Sequence, residues 1–302
     1  MIVNMTVVIK INMASRTRRT QTFFRALLRS PAGLTGFIII TLVMLMAVFG
    51  PLLVPFDVNE PNLRARFMEP GFTDSTGTYL FGTDQLGRDI FSRVIDGSRV
   101  SVLIGVVASL ISGTVGVLYG LIAGFVGGWL DSLMMRIVDA LLGIPFIILV
   151  VSISGIVGAG LTTVILILGL TGWVTYARVI RAEVLKTRNL EYITAAYAIG
   201  QRPVVIMFQH ILRNVISTAI VLGATQVGIT ILAESSLSFL GLGVKPPIIT
   251  WGVMLADGRQ YITSAWWMTT YPGVATTITV LGVVFLGDWV RDMLDPKVRG
   301  RR

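Results

Sequence analysis

The chain has no cysteine and a single histidine, His210, among its 302 residues. Without cysteine no disulfide bond can form, so the sequence says nothing about the redox state of its compartment. One imidazole and no thiolate also fall short of the ligand set that a zinc or other soft-metal site requires. We therefore expect no metal site in this chain.

The motifs of nucleotide and acyl-transfer chemistry are also missing. No segment reads G-x-x-x-x-G-K-[ST], and the nearest candidate, GLGVKPP at 241–247, has proline where serine or threonine is needed. The serines of SSLSFLG at 235–241 have no histidine and carboxylate in a catalytic pattern. These absences predict a chain that is not an enzyme, has no catalytic residue and binds no cofactor.

Charge is scarce, and long hydrophobic runs take its place. Charged residues make up 14% of the chain, whereas soluble domains carry about 25%. Five stretches contain no charged residue: 30–56, 100–130, 140–177, 214–233 and 260–287. A spanning helix needs about 20 apolar residues, and the third stretch is long enough for two helices joined at GIVGAG. We predict an all-α integral membrane protein with six transmembrane helices, near 34–54, 101–126, 132–153, 161–183, 213–234 and 273–291.

The distribution of lysine and arginine predicts the orientation. Basic residues cluster at 10–29, at 178–213 and after 290, which six spans place on one side of the membrane. That side is expected to be the cytoplasm, with both termini there, in the cytoplasmic membrane of a prokaryote. The basic residues form no single aromatic-studded patch, so we expect no nucleic-acid partner. The surrounding membrane lipid is an expected partner. Translation could start at Met1 or at Met13.

These features divide the chain into five segments. A basic cytoplasmic segment, 1–32, precedes the first transmembrane helix at 33–56, and an extracytoplasmic loop with an interfacial helix follows at 57–98. The main transmembrane domain covers 99–291 and includes a cytoplasmic loop at 186–212. A basic cytoplasmic tail covers 292–302.

Glycine recurs every four residues in the second span, at Gly116, Gly120, Gly124 and Gly128. This spacing lines one helix face, and in lipid such a face lets another helix approach closely. The pattern predicts a tight helix contact, with a neighbour in this chain or in another.

Charged and aromatic residues outside the spans suggest further contacts. Asp89 and Arg93 are spaced to pair across one turn of the expected interfacial helix, which is either a solvated helix or a gating or docking element. Asp139, one turn into the third span, has Arg136 as a candidate partner, and Glu234 ends the fifth span. The aromatic residues of 251–271 suit an outer interfacial belt.

The cytoplasmic loop contains RNLEYITAAYAIGQRP at 188–203, which reads as a short helix between two spans. Asn189 is the expected N-cap, Gly200 the expected end, and Pro203 the start of the next helix. Tyr192, Ala195, Ala196 and Ile199 would share one face. That face suits docking into a groove of another protein, while the alternative is a connector packed on its own bundle.

This segment resembles the coupling loop of ABC-importer permeases, E-A-A-x3-G-x9-I-x-L-P. Thr194, Ala195, Ala196 and Gly200 match it in register, and Glu191 fits a variant of the acidic position. Thr194, His210 and Arg213 depart from the usual residues. Further blocks match in order: GTDQLGRDIFSRVIDGSRVS at 82–101, GGWLDSLMMRIVDALLGIP at 127–145, SLSFLGLGVKPPIITWGVML at 236–255 and GDWVRDMLDPKVRG at 287–300.

Together these motifs identify the chain as resembling the C-type permease subunits of dipeptide, oligopeptide and nickel importers. The resemblance implies the type I importer permease fold and ATP hydrolysis by partner subunits. The implied partners are a second homologous permease subunit in a heterodimer, two ABC ATPase subunits and an extracytoplasmic substrate-binding protein. It implies roles in coupling for the residues Glu191, Thr194, Ala195, Ala196 and Gly200. The outer motif consists of Gly82, Thr83, Asp84, Gly87, Arg88, Asp89 and Arg93.

Peptides are the expected substrate, with nickel, glutathione or another small solute as alternatives within the same type of complex. A stand-alone secondary transporter is a more distant alternative, because it usually needs intramembrane ionisable groups and paired repeats. This sequence has few ionisable groups within its spans and little sign of repeats. An integral-membrane enzyme would need histidine or carboxylates clustered at one membrane face.

Overall fold

A computed structural model describes residues 26–75 and 77–294. The basic segment predicted at 1–32 is therefore described only from residue 26, and the tail predicted at 292–302 only as far as 294. The described chain is helical apart from one hairpin and its connecting loops. Its helices are α1 (Pro31–Leu53), α2 (Ile90–Val126), α3 (Gly128–Leu142), α4 (Phe146–Val157), α5 (Leu161–Thr187), α6 (Glu191–Ala198), α7 (Pro203–Phe239), α8 (Trp251–Gly258) and α9 (Trp267–Leu294).

Within the described residues, five helices are long and apolar enough to cross a membrane: α1, α2, α5, α7 and α9. The pair α3 and α4 makes a sixth span only if its two parts are counted together, because they meet at an angle of 86°. The third span predicted at 132–153 is therefore two helices joined at a bend, and they count together as the sixth span. Pro145 explains the break, since proline disfavours helical geometry in the residue before it and lacks the amide hydrogen that the helix needs.

Helix directions follow from the contacts along α2. Ser112 donates a hydrogen bond to the carbonyl of Gly169, and Arg188 at the end of α5 donates to the carbonyl of Gly124, so α2 and α5 run parallel. Parallel neighbours require the bent pair to return the chain across the bundle. Ser109 lies 3.3 Å from Thr230 of α7, while Leu121 packs with Val215, so α7 runs antiparallel to α2.

The bundle therefore has two distinct ends. The hairpin end carries the loop from α1 to α2, the start of α9 and helix α8, whose Trp251 donates its indole N–H to the carbonyl of Val94. The α6 end carries α6 together with the first described helix turns before α1 and the last turn of α9. Both described ends of the chain thus lie at the α6 end.

The loop from α1 to α2 folds into a small unit instead of an interfacial helix. Strands β1 (Phe72–Asp74) and β2 (Gly77–Tyr79) pair antiparallel, and a 3₁₀ turn at Leu63–Ala65 precedes them. Charged residues of 84–88 lie in an irregular loop, and the helix that follows begins at Ile90 and continues into the membrane as α2. The expectation of a separate interfacial helix within 57–98 is wrong, because its helical residues are the first turns of this long span.

Packing is densest where small residues let helices approach. Helices α2 and α5 share the most extensive contact of the described chain, and α9 packs against both α1 and α7. Four clusters of buried apolar side chains fill the spaces between the helices, and one of them joins α6 to the ends of α2, α5 and α7.

Candidate functional site

Helix α6 is a separate, well-delimited element between two spans. Leu190 occupies its N-cap position with no side-chain hydrogen bond, and Glu191 supplies negative charge to the first turn, where the helix dipole favours it. Asn189 is not the N-cap, because its side-chain amide donates to the carbonyl of Leu185 at the end of α5. The fold therefore uses Asn189 to close the preceding helix.

The end of α6 is fixed by glycine. Gly200 has a φ of +77°, the left-handed conformation that a residue with a Cβ adopts at a cost. The amide of Gly200 donates to the carbonyl of Tyr197 and that of Gln201 to the carbonyl of Ala196, which is the hydrogen-bond pattern of a Schellman ending. Pro203 then opens α7, whose second turn, Ile206–Ile211, is a π-helix.

The buried face of α6 differs from the predicted one. Ile193 is fully buried and Ala196 is 6% exposed, and both pack against Ile180, Val184 and Ile206 of their own bundle. The expectation that Ala196 lies on a free small-residue face with Tyr192, Ala195 and Ile199 is wrong, because Ile193 sets the inward direction of the helix.

The outward face of α6 combines apolar and small residues. Ile199 is 77% exposed, and the rings of Tyr192 and Tyr197 are each about half exposed. Glu191, Thr194 and Ala195 are exposed beside them. Single exposed apolar residues are ordinary, but this short helix and its C-cap residue expose three large ones.

Several contacts hold α6 to the end of the bundle. The phenol oxygen of Tyr192 accepts a hydrogen bond from Asn214 at 3.0 Å. His210 lies 2.9 Å from the side-chain oxygen of Gln201, so the one histidine joins the turn after α6 to the π-helical segment. Both contacts tie α6 and the turn after it to α7.

The span before α6 is anchored to the rest of the bundle by glycines and ion pairs. A Cβ at Gly120 would lie 2.5 Å from the carbonyl oxygen of Ala177, and one at Gly124 would lie 2.9 Å from Val184. Gly116 approaches Trp173 in the same way. The neighbour of the stripe is therefore α5 of the same chain. Gly128 does not belong to the contact, because it opens α3 and a Cβ added to it would meet no other described atom within 4 Å.

Two ion pairs join α3 to α5. Sequence spacing did not indicate the pair of Asp131 and Arg181, and it predicted the wrong partner for Asp139. Arg181 holds Asp131 through two nitrogen atoms, with Nη2 2.6 Å from Oδ2. Asp139 pairs with Arg178 at 2.6 Å, and the expected partner Arg136 is incorrect. Both partners lie about forty or more positions away along the chain, a separation at which helical spacing gives no signal.

The outer motif forms the second candidate site, at the hairpin end. Gly82 and Gly87 both have a φ of +76°, and they bend the loop around Asp84. The carboxylate of Asp84 accepts hydrogen bonds from the amides of Leu86 and Arg88 and from Nε of Arg88 at 2.7 Å. Thr83 accepts from the amide of Met68 at 2.8 Å, which joins this loop to the segment before the hairpin.

Asp89 and Arg93 do not pair with each other as predicted. Asp89 is the N-cap of α2, and its Oδ2 accepts from the amide and hydroxyl of Ser92 at 2.8 and 2.6 Å. Arg93 instead donates to the carbonyl of Val58 and lies 3.8 Å from Asp84. Burial raises the pKa of Asp89, and the hydrogen bonds from Ser92 partly oppose this rise.

Asp257 of α8 joins the outer motif from a distant part of the chain. Its carboxylate lies 3.8 Å from Arg93 and 3.9 Å from Arg88. Burial raises the pKa of Asp257, while the two arginines lower it. Asp257 was missed from the sequence, because nothing in the spacing links 257 to 88 and 93.

Two further residues were given the wrong surroundings. Trp251 is fully buried, so it is a core residue and not part of an aromatic belt. Glu234 lies inside α7, which continues to Phe239, and its Oε1 accepts hydrogen bonds from Ser238 and Thr250. It thereby connects the last turns of α7 to the N-cap of α8. In the sequence, the only indication of this hydrogen-bonded carboxyl group was that an acidic residue is rare in an apolar segment.

Comparison with known proteins gives two family matches. Residues 116–300 match the family "binding-protein-dependent transport system inner membrane component", and residues 19–70 match the "N-terminal TM domain of oligopeptide transport permease C". The first match alone covers more than half of the chain.

Curated relatives match over nearly the whole length. The dipeptide transport system permease protein DppC of Bacillus subtilis is 40% identical over 281 residues, covering 93% of this chain and 86% of the relative. The probable D,D-dipeptide transport system permease protein DdpC of Escherichia coli is 37% identical, covering 90% of both chains. The oligopeptide transport system permease protein OppC of B. subtilis is 38% identical, covering 88% of this chain and 86% of the relative.

The fold also matches a solved structure. A chain of the MetNI methionine ABC transporter, in an inward-facing conformation, superposes with a TM-score of 0.57 at 20% identity, covering 67% of this chain and 96% of that one. At this identity the likeness concerns the fold alone, which is that of a type I importer permease. The chain therefore belongs to the family of binding-protein-dependent transport system inner membrane components, and within it to the C-type permease subunits.

Proposed function

We propose that this chain is the C-type permease subunit of an ATP-driven importer of short peptides. The observation that carries the proposal is the 40% identity to a dipeptide permease across nine-tenths of the chain. The relatives DppC, DdpC and OppC are all permeases named for peptide transport. The chain would supply half of the translocation pathway, and a second homologous permease subunit would supply the other half.

In this proposal α6 is the element that contacts an ABC ATPase subunit. Its position supports this role, because it projects from the end of the bundle where α5 ends and α7 begins. Its outward residues, including Ile199 and Tyr197, can enter a groove, while Ile193 and Ala196 fasten the helix to the spans. Motion of the ATPase would then reach α5 and α7 directly.

The proposed orientation places the α6 end in the cytoplasm. The lysines and arginines that flank the spans support it, since both described chain ends and α6 lie at one end of the bundle. The hairpin end would face the substrate-binding protein outside. The chain itself would bind no cofactor and hydrolyse no ATP, since two ABC ATPase subunits would do so.

Reconstitution of the four-subunit complex in proteoliposomes tests the proposal. We expect a radiolabelled dipeptide to accumulate only when ATP is inside with the ATPase subunits and the binding protein is on the hairpin side. The purified chain alone should neither bind nor hydrolyse ATP. Uptake of nickel or glutathione without uptake of any peptide would contradict the substrate class, and uptake without the ATPase subunits would contradict the mechanism.

A further inference from the structure

A cavity of about 580 Å³ lies in the loop unit at the hairpin end, beside α1 and the start of α2. Its volume falls within the range of roughly 300–1,000 Å³ that is usual for small-ligand sites. The strands β1 and β2, the segment 56–64 and the first residue before α2 form its walls. No step of the proposed transport cycle uses this cavity.

The lining of this cavity is acidic although the whole chain carries a net charge of +9. Four carboxylate side chains line it, from Asp57, Glu60, Asp74 and Asp89, against one guanidinium, from Arg64. Asp57, Glu60 and Arg64 are exposed, whereas Asp89 is 2% exposed. The negative charge therefore extends from the surface to a buried residue.

Asp89 provides the observation that points to a ligand. Its Oδ2 is satisfied by Ser92, but its Oδ1 is buried and has no hydrogen-bond partner in the described residues. A buried carboxylate oxygen without a donor costs free energy, so a donor bound in the cavity would remove that cost. Asp89 is one of the residues that line the cavity, so a donor that enters the cavity approaches this carboxyl group.

The arrangement distinguishes between kinds of cation. Within the described residues, no three histidine, cysteine or carboxylate side chains cluster closely enough to hold a metal ion. The carboxylates are instead spread along the walls. The rings of Phe56 and Tyr79 stack at 4.6 Å and give the cavity an apolar side. A spread of negative charge beside an apolar wall suits a positive group that is carried on an organic stem.

We propose that this cavity binds a primary ammonium group carried on a peptide or aliphatic stem. The proposal rests on the proposed function in one respect, which is that the hairpin end faces the outside, where substrate and binding protein arrive. The ammonium would donate to Oδ1 of Asp89, and the outer carboxylates would attract it by charge. Two sources share this chemistry: the amino terminus of a short peptide and a lysine side chain of the binding protein.

The experiment uses the complete transporter in nanodiscs and the variant Asp89→Asn. Asparagine caps helices about as well as aspartate, so its side-chain oxygen can keep the bonds from Ser92 while its NH₂ group replaces Oδ1. A donor then faces the ammonium where an acceptor was. Glu69→Gln is the matched control, because Glu69 is an acid of the same loop unit that does not line the cavity.

The first arm measures binding of the dipeptide Ala-Ala, without binding protein, by saturation-transfer NMR. If the peptide is the source, Asp89→Asn weakens binding by about tenfold or more, Glu69→Gln leaves it unchanged, and N-acetyl-Ala-Ala does not compete. The second arm measures the affinity of the binding protein for the complex. If a lysine is the source, Asp89→Asn lowers that affinity by a similar factor, and acetylation of the binding protein's lysines removes the difference between the variants.

Equal affinities of wild type and Asp89→Asn in both arms would overturn the inference. If Asp89→Asn fails to assemble, the double variant Asp57→Asn, Glu60→Gln decides, since both side chains are exposed and lie at the cavity. Unchanged affinities for that variant would equally overturn it. ATP-driven peptide uptake by the wild type is measured in parallel, so that a failure of the cavity inference is distinguishable from a failure of the proposed function.

Discussion

At the scale of single residues, the contact between α2 and α5 depends on the absence of side chains. A Cβ at Gly120 would meet the backbone of Ala177, which cannot rotate away as a side chain can. We expect Gly120→Leu to lower the yield of assembled complex and to cost at least about 1–3 kcal/mol of stability. The matched control is Gly155→Leu in α4, where nothing in the described residues lies within 4 Å. Equal thermal stability of the two variants would show that the α2–α5 contact tolerates bulk.

The ion pair between Asp131 and Arg181 is a second residue-scale determinant. Asp131→Ala leaves the guanidinium of Arg181 without its two acceptors. Loss of one partner of a fully buried pair costs about 3–5 kcal/mol, and this pair, whose arginine is partly exposed, should cost less. We expect a lower unfolding temperature of the purified complex. The double variant Asp131→Ala, Arg181→Met should recover a large part of the loss, because no unpaired charge remains. A double variant that is less stable than Asp131→Ala would contradict this account.

The protonation of Asp89 gives a prediction on pH. Because burial raises its pKa in the folded state, the folded protein holds this proton more tightly than the unfolded chain does. The group therefore stabilises the fold below its unfolded pKa, and that contribution is lost as pH rises through the folded pKa. We expect the unfolding temperature of wild type, relative to Asp89→Asn, to fall as pH rises from about 4. A difference that is constant from about pH 4 to pH 8 would indicate that Asp89 has no raised pKa.

At the scale of elements, α6 has one face for its own bundle and one for a partner. Ala195→Trp and Ile199→Asp change only exposed positions, so we expect assembly in the membrane with loss of peptide uptake and of transport-coupled ATP hydrolysis. Such surface changes alter stability by only about 0.5 kcal/mol. Crosslinking of Ala195→Cys to a cysteine in the ATPase groove, which the cysteine-free chain makes specific, reports the contact directly.

Ala196→Trp serves as the contrasting variant on the same helix. Ala196 packs against the bundle with Ile193, so the indole would disturb the buried cluster, and we expect poor assembly instead of uncoupling. Normal uptake by both Ala195→Trp and Ile199→Asp would show that α6 is a connector and not a coupling helix.

At the scale of the whole molecule, the parallel course of α2 and α5 determines which loops share a side. The bent pair must cross once between them, so the hairpin and α6 lie on opposite sides. Alkaline phosphatase, which is active only outside the cytoplasm, should be inactive when fused after Arg302. The same enzyme inserted after Gly71, an exposed position with open space around it, should be active. The reverse pattern would invert the proposed orientation.

The existence and approximate position of the long helices could be read from the sequence, because lipid requires about 20 apolar residues per span whatever surrounds them. The glycine spacing and the end of α6 at Gly200 were equally local, since both depend on backbone geometry within one or two helical turns. The family could be identified from the order of the motifs, because the relatives match along nearly the full length of the chain.

Tertiary structure decided what depends on residues far apart in sequence. Helical spacing predicted that Arg136 pairs with Asp139 and that Arg93 pairs with Asp89. In the structure, Arg178 pairs with Asp139 and Ser92 donates to Asp89. Ile193, not the small residues, turned α6 toward the bundle, because burying the larger apolar side chain removes more surface from water. The acidic cavity needed the hairpin to bring Asp57, Asp74 and Asp89 together. Periodicity reports only neighbours within a helix, so the partners that the fold supplies from elsewhere stay invisible to it.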